Sequence, residues 1–147
     1  MFFNVRKEQL EKFFIEELRI IQDIIKRMAF NSFMIKGWAI TLVVVTLLLK
    51  GNKYHVLIAF IPLIVFWFLD AYFLWQERMY RELYKWVIEN RLKSDENLFD
   101  MNAYRFKNQV QSRLRIMFSI TLRWFYGTTA ILIVIYTLIL FLSKGGS

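Results

Sequence analysis

Three charged side chains stand inside long apolar stretches of this chain: Lys36, Asp70 and Arg123. An ionisable group held in hydrocarbon costs at least ~2.5–3.5 kcal/mol, so each is a functional candidate by default. Their depths can be compared by counting inward from the far end of each stretch. Lys36 lies about 20 Å inside Leu49, and Asp70 about 22 Å inside His55, at helical rise. In a tight antiparallel hairpin the two reach nearly the same level, where opposite charges can meet. Arg123 lies about 28 Å inside Leu142 and reaches the nearer interface by snorkelling. Two chemistries stay open for Lys36 and Asp70: an ion pair that fixes how two helices dock, or the lining of a hydrated pore or proton path. Glu77 and Arg78, one to two turns beyond Asp70, extend either network, and Asn31 and Ser32 can hydrogen-bond in the same layer.

Other chemistry is thinly provided for. The chain holds one histidine and no cysteine, which excludes disulfides, thiolate metal sites and cysteine catalysis. His55 has no second His, Cys or carboxylate at ligand spacing, so no metal site is expected. There is no GxSxG, HExxH or glycine-rich phosphate loop. The expectation is a protein that is not an enzyme and uses no cofactor. Trp38, Trp67, Trp75 and Trp124 read as packing or interfacial anchors.

The elements that must position these charges are long helices. Hydrophobic residues make up 57% of 147 and aromatics 18%, with a mean hydropathy of +0.36. Apolar runs cover about 33–49, 55–75 and 116–142. Each can cross a hydrocarbon layer of about 30 Å, which takes about 20 helical residues. The predicted fold is all-α: an integral membrane protein with three transmembrane helices (33–49, 55–75 and 117–142) and cytoplasmic helical extensions, in one membrane domain over 1–147. Residues 6–30 form an amphipathic helix, since Leu10, Phe14, Leu18, Ile21, Ile25 and Met28 recur at helical spacing, with Phe13, Ile20 and Ile24 widening the face. Packing on another helix of the same chain, self-association and lying on the membrane surface all fit that face.

A helical pattern runs from about His55 to Leu92, so 76–92 extends the second span, with Met79, Tyr80, Leu83, Tyr84, Val87 and Ile88 on its apolar face and Pro62 bending the span. Residues 93–101 read as a loop. Residues 102–116 read as a basic amphipathic segment leading into the third span. Small-residue packing is thin, limited to Gly37 and the surroundings of Gly127. Residues 1–30 carry charges throughout, unlike a secretory leader, and 145–147 (Gly-Gly-Ser) read as an expression linker.

Twenty Lys and Arg against twelve Asp and Glu give +8. Six of the basic residues fall within 6–27 and nine within 78–115, while the turn near Gly51-Asn52 and the C-terminal end hold few. Basic residues concentrate in short cytoplasmic loops, so the N-terminus and 76–115 are expected to be cytoplasmic and the C-terminus outside. Acidic residues interleave with the basic ones (Glu77 with Arg78 and Arg81, Glu82 with Lys85), as on a solvated helix, which disfavours nucleic acid as a partner. Arg78, Arg81 and Lys85 form a basic surface suited to a nucleotide or an anionic lipid head group.

Two stretches carry a resemblance. One is IQDIIKRMAFNSF (21–33), continuing into Lys36-Gly37-Trp38-Ala39; the other is FWFLDAYFL (66–74), followed by QERMYRELY (76–84). Together they resemble a group of small bacterial multi-pass membrane proteins associated with anti-phage defence. The likeness covers roughly residues 20–85. It implies a membrane component of a defence system in the bacterial inner membrane. It also places that group's polar signature on Asn31, Ser32, Lys36, Asp70, Glu77 and Arg78. The expected function is a homo-oligomeric effector that perturbs or permeabilises the membrane. The alternative is a non-conducting scaffold or sensor that docks a cytoplasmic partner protein. A pore requires several copies in closed symmetry, because three helices cannot enclose one.

Overall fold

A computed structural model describes residues 2–49, 53–93 and 97–144. The expected turn at Gly51-Asn52, the middle of the 93–101 loop and the Gly-Gly-Ser end lie outside the described residues, as does the His55 side chain. Among the described residues every regular element is helical. Helix α1 runs Phe2–Leu48, a short 3-10 helix Lys53–Ala59 leads into α2 (Phe60–Asn90), and a 3-10 turn Ala103–Phe106 precedes α3 (Arg113–Met117) and α4 (Ile120–Lys144). Three of these helical stretches, Lys7–Leu48, Val56–Asn90 and Ile120–Ser143, are long and apolar enough to cross a bilayer. The chain is thus an all-α, membrane-embedded protein.

Its contacts resolve into two compact units, and both long helices contribute to each. One unit comprises residues 1–30 and 73–112, the other 31–72 and 113–147. Their boundaries fall within a few residues of the ends that apolar patterning gives the spans.

In the first unit α1 and α2 run antiparallel, since Gln22 meets Tyr84 and Glu17 meets Arg91. Trp75, Met79, Leu83, Val87 and Arg91 are all buried. They recur every fourth residue and so form one ridge of a helix. Ile21 of α1 is fully buried in the same unit, while the Phe13 and Phe99 rings meet edge to face.

In the second unit Ser32, Ile35, Ala39 and Val43 are the buried stripe of α1, Leu63, Asp70 and Ala71 that of α2, and Leu122, Tyr126 and Ile133 that of α4. The 3-10 segment Lys53–Ala59 lies against α4. Most large apolar side chains on the other faces, such as Phe33, Ile61, Phe68, Leu132 and Leu142, are exposed. In water they would be a large apolar surface; in a bilayer they are the faces turned to lipid.

Three sequence expectations change. The segments 6–30 and 33–49 are one uninterrupted helix, because residues 28–35 contain no helix breaker. Pro62 lies not in the interior of a long α-helix but in the first turn of α2, just after the 3-10 segment, where its missing N–H costs least. Residues 102–116 are not one amphipathic helix. There the Asp100 carboxylate accepts from Asn102 N at 3.0 Å, and the Asn102 side chain accepts from Tyr104 N at 3.2 Å. Such Asx turns divert the backbone from a helical ladder. Neither Gly37 nor Gly127 is a close-packing point within the chain: a Cβ added to either would meet nothing within 4 Å.

Candidate functional site: a buried charge cluster

The second unit is organised around one carboxylate. Asp70, on α2, has no exposed surface. Lys36 brings its ammonium from α1 to 2.6 Å from Asp70 Oδ2. One turn before it Ser32 donates its hydroxyl to Asp70 Oδ1, and the Lys36 ammonium in turn donates to Ser32 Oγ at 2.8 Å. From α4 the Tyr126 hydroxyl points between Asp70 Oδ2 at 3.1 Å and the Phe66 carbonyl at 3.2 Å. Both carboxylate oxygens therefore have donors, from two other helices. A buried anion is tolerable only when paired and hydrogen-bonded in this way. The Lys36 side chain remains 21% exposed.

Aromatic side chains close the cluster. Trp67 stacks on Tyr126 at 5.9 Å between centroids and meets Phe118 edge-on at 5.4 Å. Its indole N–H donates to the Met117 carbonyl at 2.8 Å, at the break between α3 and α4. That bond satisfies a carbonyl which the end of α3 leaves without a helical partner. The arrangement is a polar clasp between three helices, formally neutral across Lys36 and Asp70.

Of the polar seam expected from the sequence, Ser32, Lys36 and Asp70 come together and the remainder do not. Asn31 is half-buried and takes no part in the cluster. Arg123 is exposed, one residue and so about 100° around α4 from the inward-facing Leu122. Glu77 and Arg78 belong to the first unit and have partners of their own there. Buried Glu77 accepts from Arg81, at 2.8 Å from Nε and 2.6 Å from Nη2. Arg78 donates to the Gln111 side-chain oxygen at 2.9 Å. Glu77 is two turns along α2 from Asp70, about 10 Å of rise, which puts the Arg81 guanidinium one turn away within easier reach.

The first unit carries a second buried pair that the sequence reading passed over. Arg91 Nη2 donates to Glu17 Oε1 at 2.7 Å and to the Asn97 carbonyl at 2.9 Å. Both side chains are fully buried. A signal was present: Glu17 lies on the apolar stripe, three residues after Phe14 and four before Ile21. Tyr126 was missed too, although its depth from Leu142, about 24 Å, is nearly that of Asp70.

Arg78, Arg81 and Lys85 line an open groove of about 690 Å³ in the same unit. Lys85 is paired with Glu82 at 2.7 Å. Among the described residues no group of three His, Cys, Asp or Glu side chains comes together as a metal site. No family model, curated protein or solved structure matches this chain.

Proposed function

We propose that the chain is a non-conducting membrane scaffold or sensor, in which the second unit is the anchor and the first docks a partner. The observation that carries this reading is the saturated Asp70 carboxylate. A group that passes ions or protons must meet water or exchange partners, whereas Asp70 has no exposed surface and donors on both oxygens. The Glu17–Arg91 pair gives the first unit a similarly fixed interior, suited to presenting a constant surface. The distribution of basic residues supports an orientation with that unit and the N-terminus in the cytoplasm and the C-terminus outside, and the resemblance to small bacterial membrane proteins supports the inner membrane as the setting. The docked partner is then a cytoplasmic protein.

A second reading is supported by the partial exposure of Lys36 and by the resemblance to anti-phage membrane proteins. In it several copies form a pore effector that permeabilises the membrane, with Lys36 turned towards its lumen. Flux from liposomes separates the two. The scaffold reading expects purified protein to release trapped ions no faster than empty vesicles, and Asp70→Asn to lower abundance and thermal stability. Ion release that rises steeply with protein-to-lipid ratio, and changes in Asp70→Asn while the mass of the extracted complex is unchanged, would establish the pore instead.

A further inference from the structure

The groove in the first unit is walled by α1 through Gln22, Ile25 and Lys26, by the Arg78–Ile88 stretch of α2, and by residues 109–111. Its charge is one-sided: Lys26, Arg78, Arg81 and Lys85 line it against a single carboxylate, Glu82. Arg78 and Arg81 are three residues apart and Lys85 four further on, so all three project from one face of α2.

These cations are held lightly. Among the described residues Arg78 pairs with no carboxylate, only with the neutral Gln111 amide. The pairs Arg81–Glu77 and Lys85–Glu82 leave the basic side chains 58% and 64% exposed. The Lys85–Glu82 pair is exposed and contributes little stability, so an incoming anion displaces it readily, while Arg81 keeps its pair with the buried Glu77 and offers its remaining donor to the anion. The rest of the wall is of a different character. Ile25, Ile88 and Val110 offer apolar surface, and the Gln109 and Gln111 amides offer donors and acceptors together. The volume, about 690 Å³, falls within the roughly 300–1,000 Å³ of small-molecule sites.

We propose that this groove binds a small organic phosphate of nucleotide size carrying at least two negative charges. Arg78 and Arg81 grip the phosphates, since paired guanidinium donors match phosphate oxygens. Lys85 and Lys26 add charge from either side, and the apolar and amide wall takes the organic body. The phosphate can come from a free nucleotide or from a phosphorylated lipid head group. This inference goes beyond the scaffold reading, concerns the first unit alone, and holds whether or not the spans conduct.

The test uses the full chain in nanodiscs of zwitterionic lipid, titrated with ATP by calorimetry at about 0.15 M salt, where loose surface attraction is largely screened. A parallel set of nanodiscs carries a phosphorylated phosphatidylinositol, and its occupancy is read per chain. Saturable binding of one ligand per chain is expected in at least one arm, and the responding arm identifies the source. The double variant Arg78→Gln/Arg81→Gln should weaken that binding about tenfold or more, through loss of charge-assisted hydrogen bonds. Arg19→Gln, an exposed arginine of the same unit outside the groove, should leave it unchanged. A cooperative unfolding transition that stays above the assay temperature certifies that the double variant is folded, since Arg81→Gln also weakens the hold on buried Glu77. Absence of saturable binding in both arms overturns the proposal, as does equal weakening by Arg19→Gln.

Discussion

A double-mutant cycle on Lys36 and Asp70 measures what the buried clasp contributes. Removing one partner of a buried pair typically costs about 3–5 kcal/mol, because a charge is left without compensation. Lys36→Met strands the Asp70 carboxylate, which is fully buried but keeps its Ser32 and Tyr126 donors. Its cost should therefore fall at the low end, about 3 kcal/mol. Asp70→Asn preserves shape and acceptor while deleting the anion. The ammonium it leaves behind is already 21% exposed and can retract towards the interface, so about 2 kcal/mol is expected. The double variant Lys36→Met/Asp70→Asn holds no charge; Ser32 still donates to the amide oxygen, while the amide NH2 donates to the Tyr126 hydroxyl, which keeps the Phe66 carbonyl as its own acceptor. It should cost no more than about 2 kcal/mol, leaving a coupling of at least about 3 kcal/mol. Equilibrium unfolding in mixed micelles, with all four proteins measured side by side, gives the cycle. If the single effects add within about 0.5 kcal/mol, the two residues do not interact and the clasp is not what holds these helices.

Two further predictions follow from the same geometry. Glu17→Ala should destabilise the first unit by about 3–5 kcal/mol by stranding Arg91, whereas the apolar exchange Glu17→Leu/Arg91→Met should cost little or stabilise; hydrogen exchange of residues 10–28 and 79–91 reads the difference. Gly37→Ala should keep or raise thermal stability, by up to about 1 kcal/mol of helix propensity, because its Cβ would meet open space. A loss of stability with a fall in complex mass would instead place a second copy of the chain against that face.

What the sequence made legible was set by period and length. Three apolar runs are unambiguous because a bilayer demands about 20 consecutive residues, and few other structures do. The Lys36–Asp70 level was legible because rise per residue converts sequence separation into depth. The same count applied to hydroxyl groups would have added Tyr126. Glu17 was obscured because a widened apolar face can be threaded by several stripes, and the one through Leu18 bypassed it. The tract 102–116 misled for a local reason: its basic and apolar residues alternate plausibly for a helix, but side-chain acceptors at Asp100 and Asn102 capture backbone N–H groups. Glu77 and Arg78 lie close to Asp70 in sequence, yet Arg81 and Gln111 engage them first. Depth counting cannot see such competition, because it ranks residues by level and not by the partners within reach.

Each unit places one fully buried acid against a base from the opposite long helix or its end: Glu17 of α1 with Arg91, the residue after α2, and Asp70 of α2 with Lys36 of α1. Apolar ridges alone specify such packing weakly. Trp75, Met79, Leu83 and Val87 are chemically similar enough that sliding one helix by a turn, about 5.4 Å, exchanges one apolar contact for another. The charges do not permit that exchange. A one-turn slip within the first unit would leave Glu17 and Arg91 buried and apart, at a cost several times that of any single apolar mismatch. Within the second unit it would part Asp70 from Ser32 and Lys36 together. The buried charges therefore act as register marks. On this argument, replacing both pairs with apolar residues should leave the helices intact while loosening the single alignment that now joins them.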